Sequence, residues 1–200
     1  MKFAKLAALA LGTATLAACA TAPGPVEVTR FHDASALSRL GNGTIFIEAA
    51  PGEDASGLEM APYKAAIARQ LTALGYRETT RAQADQIAQV SLDRYKSREG
   101  DRRGPVSVGV GGSTGSYGSG LGVGVGLNLG GGAKDKVGTD LAVAIKDKAS
   151  GNNLWEGRAQ FAVAENSDLA RTETNAQTVA SALFREFPGG NGETVEVGVK

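Results

Sequence analysis

Two neighbouring stretches of the chain alternate apolar and polar residues with a period of two, which is typical of β-strands that bury one face. They are Thr139–Asp147 (TDLAVAIKD) and Leu154–Val163 (LWEGRAQFAV), and the turn-forming Gly151-Asn152-Asn153 lies between them. We therefore predict a β-hairpin at this point. Shorter runs of the same kind predict further strands at residues 26–31, 44–47 and 84–96. Residues 192–200 alternate weakly and form either an edge strand or a frayed end.

A helical period of three to four residues appears in two separate parts of the chain. The apolar positions of the first predicted helix are Met60, Tyr63, Ile67, Leu71 and Leu74, followed by Gly75 as a left-handed cap. The second predicted helix runs from about Ser167 to Phe187, and its apolar side carries Leu169, Ala176, Val179, Leu183 and Phe187. Two amphipathic helices and several strands predict an α+β fold, a two-layer sandwich with a mostly antiparallel sheet.

A glycine-rich segment, residues 105–130, interrupts this pattern. Residues 109–132 hold 12 of the 28 glycines, yet neither G-x-G-x-x-G nor a Gly-Lys pair occurs, which argues against a phosphate-binding loop. Valine and leucine alternate with glycine on both sides of a Gly/Ser-rich tip. We predict a β-hairpin insertion with arms near 105–111 and 121–129. It either extends the sheet or, in an assembly of several copies, inserts into a membrane.

The first 18 residues have the features of a signal peptide. Lys2 and Lys5 precede a short apolar run that is too short to span a bilayer. The next residues, Leu16-Ala17-Ala18-Cys19, resemble a bacterial lipobox, which implies that Cys19 becomes the lipidated first residue of the mature protein. Residues 19–25 then form a lipidated tether and residues 26–200 a single periplasmic domain. Ala20 after the cysteine resembles an outer-membrane sorting signal in a Gram-negative bacterium.

Candidate chemistry is sparse elsewhere in the sequence. Lysine plus arginine balances aspartate plus glutamate at 21 each, and no basic run suggests a nucleic-acid partner. His32 is the only histidine, so neither a metal site nor a cofactor is expected, and the adjacent Asp33 is assigned to a turn. Trp155 is assigned to the core. The carboxylates that fall on polar strand positions are assigned to a solvated face: Asp140, Asp147 and Glu156.

Five short motifs together resemble one family, the bacterial lipoproteins that carry domain of unknown function 4136. The motifs are Gly75-Tyr76 after a helix, Ala84-Asp85 before a strand, Leu141–Asp147 with Ser150-Gly151, Leu154–Gly157, and Phe187-Pro188 after a helix. The resemblance covers roughly residues 26–190, and it implies no catalytic residues.

We therefore expect a non-catalytic lipoprotein, anchored in the outer membrane and facing the periplasm, that binds an envelope protein, glycan or lipid. The alternative is an oligomer-forming lipoprotein whose glycine-rich hairpin enters the outer membrane as part of a pore or secretion assembly. A hydrolase with an unrecognised site is a third hypothesis, and it would need a polar residue with a displaced pKa in a pocket.

Overall fold

A computed structural model of the chain describes residues 23–98 and 135–199. The predicted signal peptide (residues 1–18), Cys19 and the predicted hairpin at 105–130 lie outside the described residues. The described elements are β1 Val26–His32, β2 Thr44–Ala49, α1 Met60–Ala73, β3 Arg77–Glu78, β4 Gln86–Arg98, β5 Asp135–Asp147, β6 Asn153–Ala164, α2 Thr172–Phe184 and β7 Thr194–Val197, with 3₁₀ turns at Ala34–Arg39 and Asp168–Ala170.

The strands form one mixed sheet in the order β3-β2-β4-β5-β6-β1-β7. Of the six strand pairings between described residues, four are antiparallel, and β2 pairs in parallel with both β3 and β4. The predicted α+β class and the β5–β6 hairpin are confirmed, whereas the expectation of a mostly antiparallel sheet gives way to a mixed one. The reason is that α1 separates β2 from β3 and β4, and such a crossover brings the chain back in parallel.

Both α-helices lie on the same face of the sheet. α1 packs against α2 and β2, while α2 also packs against β6 and β1. Alternate residues of each strand point into this layer, as the period of two predicted. The sheet's share of the core includes Val28, Ile45, Val90, Leu141, Val143, Ile145, Ala159 and Phe161.

The end of α1 shows why the chain turns where the sequence predicted. Gly75 has a φ of +108°, a conformation that side chains other than glycine rarely adopt. The N–H of Tyr76 donates to the carbonyl of Leu71, and the N–H of Gly75 donates to that of Thr72, both at 3.1 Å. This is a Schellman motif, which satisfies carbonyls left free at the helix end.

The contact between α2 and β6 is built around Trp155, which is only 1% exposed. Its ring stacks on Phe184 at a centroid distance of 5.4 Å and meets Phe187 at 5.1 Å. The indole N–H donates to the carbonyl of Pro188 at 2.9 Å. The assignment of Trp155 to the core is therefore confirmed. The indole packs directly against the backbone of Gly157, where the Cβ of any other residue would clash with it.

A buried arginine, which the sequence interpretation did not single out, caps α2. Arg30 of β1 is 4% exposed and occupies an inward position of the strand. Its Nε donates to the carbonyl of Leu183 at 2.9 Å, and its Nη2 donates to that of Ala182 at 3.1 Å. A cation at a helix C-terminus is favourable because the last carbonyls carry partial negative charge. Burial nevertheless lowers the pKa of Arg30 from its ordinary value.

Four chain segments meet at one end of the sheet. Lys136 of β5 pairs with both Ser97 near the end of β4 and Ala164 at the end of β6. β1 runs antiparallel to β6 and starts near this end, since Glu27 pairs with Gln160, four residues before the last residue of β6. The exit of β4, the entry of β5 and the start of β1 therefore lie toward the same end of the sheet. We call this the insertion end of the sheet.

Gly157→Ala tests the close approach of Trp155. The new Cβ would lie 2.8 Å from Leu183 Cδ1 and closer still to the indole, with no room for the ring to stay in place. We expect the free energy of unfolding to fall by about 1–3 kcal/mol, as overpacked cores do. Urea unfolding of the purified protein measures this, with Gly198→Ala as the control because nothing lies within 4 Å of the Cβ there. Equal stability of the two variants would contradict the packing.

Candidate functional site on the open face of the sheet

The sheet face opposite the helices is built from the outward residues of the strands. Strand register aligns four carboxylates and one amide in a row across five strands. In order from β4 to β7 the row is Asp93, Asp140, Gln160, Glu27 and Glu196. Neighbouring strands lie about 4.8 Å apart, so the row extends for roughly 19 Å. Like charges directly opposite one another disfavour strand pairing, and this row has two such pairs.

A shallow groove of about 370 Å³ crosses this face. Ala142 forms part of its floor, and Thr29, Phe31 and Thr194 line the side formed by β1 and β7. Phe31 is 44% exposed, which makes it one of the few large apolar side chains on the described surface. The Thr29 and Thr194 hydroxyls share a hydrogen bond of 2.7 Å. The groove therefore offers a narrow floor, one aromatic side chain and hydroxyl groups.

The charge of the groove is unbalanced. Glu27, Asp93 and Asp140 line it together with one cation, Arg158. That guanidinium is already paired, since its Nη2 lies 2.7 Å from the carboxylate of Glu156. Burial and the neighbouring charge of Asp93 both raise the pKa of Asp140. Among the described residues that line the groove, carboxylates therefore outnumber cations by three to one, and the single cation already has a partner.

Only one of the three carboxylates singled out from the sequence lies in the row. Asp140 does, and Glu156 lies on the same face two outward positions away from the row, beyond Arg158, as expected for solvated strand positions. Asp93, Glu27 and Glu196 were missed. Their outward positions can be read from strand alternation, but their alignment depends on the register between strands that are distant in sequence.

The assignment of Asp147 to a solvated face is wrong. Asp147 ends β5 on an inward position and is 9% exposed. Its carboxylate accepts from the N–H and hydroxyl of Ser150, at 2.7 and 2.6 Å, and pairs with Arg39. The Ser150 hydrogen bonds, followed by that of Arg39, lower the pKa of Asp147 to about 2. The β5–β6 turn needs this carboxylate.

His32 and Asp33 lie at the end of β1 and on the turn that follows it. Asp33 accepts from the N–H and hydroxyl of Ser35, at 2.8 and 2.9 Å, and caps the short 3₁₀ turn. Its assignment to a turn is therefore confirmed. His32 Nε2 lies 3.3 Å from the carbonyl of Gly189. Both side chains hold the chain where it leaves β1.

The described residues contain neither a metal-binding cluster nor a membrane-spanning helix. Across residues 23–98 and 135–199, no group of three or more His, Cys, Asp or Glu side chains is arranged to hold a metal ion. In the same part of the chain, no helix has the length and apolar content needed to cross a bilayer.

The chain was also compared with known sequence families, and one of them matches. The family described as Domain of unknown function (DUF4136) matches residues 42–189 of the chain. That match covers most of the sequence, so the chain belongs to this family. No curated protein matches the chain.

Among solved structures, two are similar to the chain at low sequence identity. A single-substitution variant of the PelC dodecamer from Paraburkholderia phytofirmans is 15% identical, with a TM-score of 0.41, and the match covers 79% of this chain and 96% of PelC. A PDZ domain protein from Parabacteroides distasonis is 12% identical, with a TM-score of 0.48, and the match covers 87% of this chain but 39% of that one. Likeness at this level indicates nothing about the function or assembly of this chain.

Asp140→Asn tests the repulsion within the carboxylate row. The pKa of Asp140 is higher in the folded protein than in the unfolded chain. The wild-type protein therefore loses stability as the pH rises from the unfolded-state pKa to above the folded-state pKa, because Asp140 ionises more readily in the unfolded chain. At pH 7 the asparagine variant should therefore be more stable, by about 0.5 kcal/mol, and this gain should vanish below about pH 3. Urea unfolding at several pH values measures it. When Asp93→Asn is already present, the stability gained by Asp140→Asn should be smaller, because the repulsion has been removed. An Asp140→Asn variant that is less stable than the wild type at pH 7 would contradict the expectation.

Proposed function

We propose that this protein is a non-catalytic lipoprotein of the bacterial outer membrane, held at the periplasmic face by acyl chains on Cys19. The proposal is supported by the signal-like first 18 residues and by the resemblance of Leu16–Cys19 to a lipobox. Each buried methylene contributes about 0.8 kcal/mol, so two or more acyl chains hold a protein firmly. Residues 23–25 are exposed and belong to no element, which suits a tether leading into β1.

The domain acts as a binding module, and the open face of the sheet is its binding surface. The observation that carries this assignment is the groove, whose carboxylates outnumber its cations on a face that neither of the two described α-helices covers. Charge complementarity favours a partner with basic side chains, since ammonium or guanidinium groups would relieve the repulsion between Asp93 and Asp140. An extended protein segment rich in lysine or arginine fits the shallow groove and could use Phe31 as an apolar contact.

Cys19→Ala tests the anchor. Cells grown with labelled palmitate should label the wild-type protein and leave the Cys19→Ala variant unlabelled, because the chain contains no other cysteine. Thr21→Ala is the matched control: it changes a nearby residue, keeps the thiol and should stay labelled. After membrane fractionation, the wild type should be recovered with the outer membrane. Equal labelling of the wild type and Cys19→Ala would refute the anchoring.

Charge substitution tests the open face. We expect a fluorescent peptide of alternating lysine and serine to bind the wild-type protein and to bind the Glu27→Gln/Asp140→Asn variant about five- to tenfold more weakly. Fluorescence anisotropy at low and high salt measures this, with a glutamate–serine peptide as the negative probe. The control Glu78→Gln/Glu173→Gln removes the same charge from the edge strand and from α2, and it should bind like the wild type. Equal binding by both double variants would exclude the open face.

A further inference from the structure

A second cavity, of about 350 Å³, lies at the insertion end of the sheet. It is separate from the open-face groove, with which it shares no lining residue. Three cations line it, Arg94, Lys96 and Arg171, together with two carboxylates, Glu59 and Glu165. The cavity therefore has an excess of positive charge, the opposite of the groove.

Arg94 is the central cation of this cavity. Its side chain is 9% exposed, and its Nη2 donates to the carbonyl of Ala170 at 2.7 Å. Its Nη1 donates to Thr172 Oγ1 at 2.9 Å and lies 2.6 Å from the carboxylate of Glu59. Its buried Nε has no hydrogen-bond partner among the described residues. The guanidinium is thus held by the 3₁₀ turn Asp168–Ala170 and by the first residue of α2, and it retains unused donor capacity.

The carboxylate that neutralises Arg94 comes from the surface. Glu59 is 54% exposed and lies on the solvent side of the guanidinium. The Glu59 side chain can move into solvent, but the mostly buried guanidinium of Arg94 would then need another anionic partner. Its position shows that an anionic oxygen fits against Arg94 Nη1. An anion from solution could replace it there.

The N-termini of both α-helices add positive electrostatic potential, which favours an anion in this cavity. The residue that precedes each helix, Glu59 for α1 and Arg171 for α2, makes no side-chain capping hydrogen bond. Helix N-termini carry partial positive charge and attract anions. Arg94 contacts Thr172, the first residue of α2, and pairs with Glu59 just before α1. Both positive helix ends therefore lie beside the same guanidinium.

We propose that this cavity binds a phosphate group, which takes the place of the Glu59 carboxylate on Arg94. Guanidinium groups bind phosphate through paired, charge-assisted hydrogen bonds. Arg171, exposed at the rim, adds a second guanidinium. Lys96 is held by Glu165 and adds positive charge at the mouth of the cavity.

The phosphate has two possible sources, a lipid headgroup or a free phosphate compound. The cavity lies at the insertion end, where the start of β1 also lies, so the proposed tether would bring it close to the bilayer. The lipid source rests on the proposed anchoring, whereas phosphate binding itself does not. Phosphate binding and membrane anchoring can therefore be refuted independently of each other.

Titration calorimetry on the full-length protein in non-ionic detergent tests the proposal, with inorganic phosphate and dihexanoyl phosphatidylglycerol as probes. We expect the wild type to bind at least one probe. Arg94→Gln and Arg171→Gln should each weaken that binding, the former about tenfold or more, and Glu59→Gln should strengthen it several-fold. Arg69→Gln, an exposed arginine on α1 outside the cavity, is the matched control and should leave affinity unchanged.

Each outcome has a definite meaning. Tighter binding of the lipid assigns the cavity to headgroups, and comparable binding of both probes assigns it to free phosphate compounds. If Arg94→Gln does not fold, the opposite effects of Arg171→Gln and Glu59→Gln decide. Absence of binding by both the wild type and Glu59→Gln overturns the proposal, as does a Glu59→Gln variant that binds no better. Unlabelled Cys19 combined with intact phosphate binding would refute the anchoring alone.

Discussion

Both α-helices cover the same face of the sheet, and this one-sided burial constrains the rest of the molecule. In the described part of the chain no helix covers the second face, and apart from Phe31 the outward positions of β1, β5 and β6 carry polar or small residues, as a half-exposed sheet requires. Strand register then aligns the acidic residues of this face in a row, which gives the face its negative charge. Packing thus determines where the carboxylates point, and strand pairing determines which of them become neighbours.

Polar contacts inside the helical layer hold the helices in place against the sheet. Tyr63 of α1 donates to Asn175 Oδ1 of α2 at 2.6 Å, and Asn175 Nδ2 donates to the carbonyl of Leu169 at 2.9 Å. Both side chains are fully buried, and burial raises the pKa of Tyr63 to about 12. Arg30 and Arg94 bind opposite ends of α2, the former at its last carbonyls and the latter at its start. Buried polar groups of this kind require partners, so they restrict α2 to one position.

Local sequence patterns predicted the parts of the fold that depend on neighbouring residues. The β5–β6 hairpin, the Gly75 cap and the inward position of Trp155 each follow from periodicity or turn chemistry. β3 could not be predicted because its two residues form a strand only by pairing with β2. The inward-facing Arg30 and Asp147 were missed because alternation alone does not show that a charged residue will find a buried partner. The parallel β2–β4 pairing and the carboxylate row depend on tertiary register, which periodicity does not encode.

The burial of Trp155 has an experimental consequence. It is the chain's single tryptophan, it is enclosed by Phe184 and Phe187, and it lines neither the open-face groove nor the insertion-end cavity. Its ultraviolet emission therefore reports one event, the separation of α2 from β6, without interference from other indoles. Intrinsic fluorescence can follow global unfolding of any variant while ligands are present, and extrinsic dyes are needed only to detect occupancy.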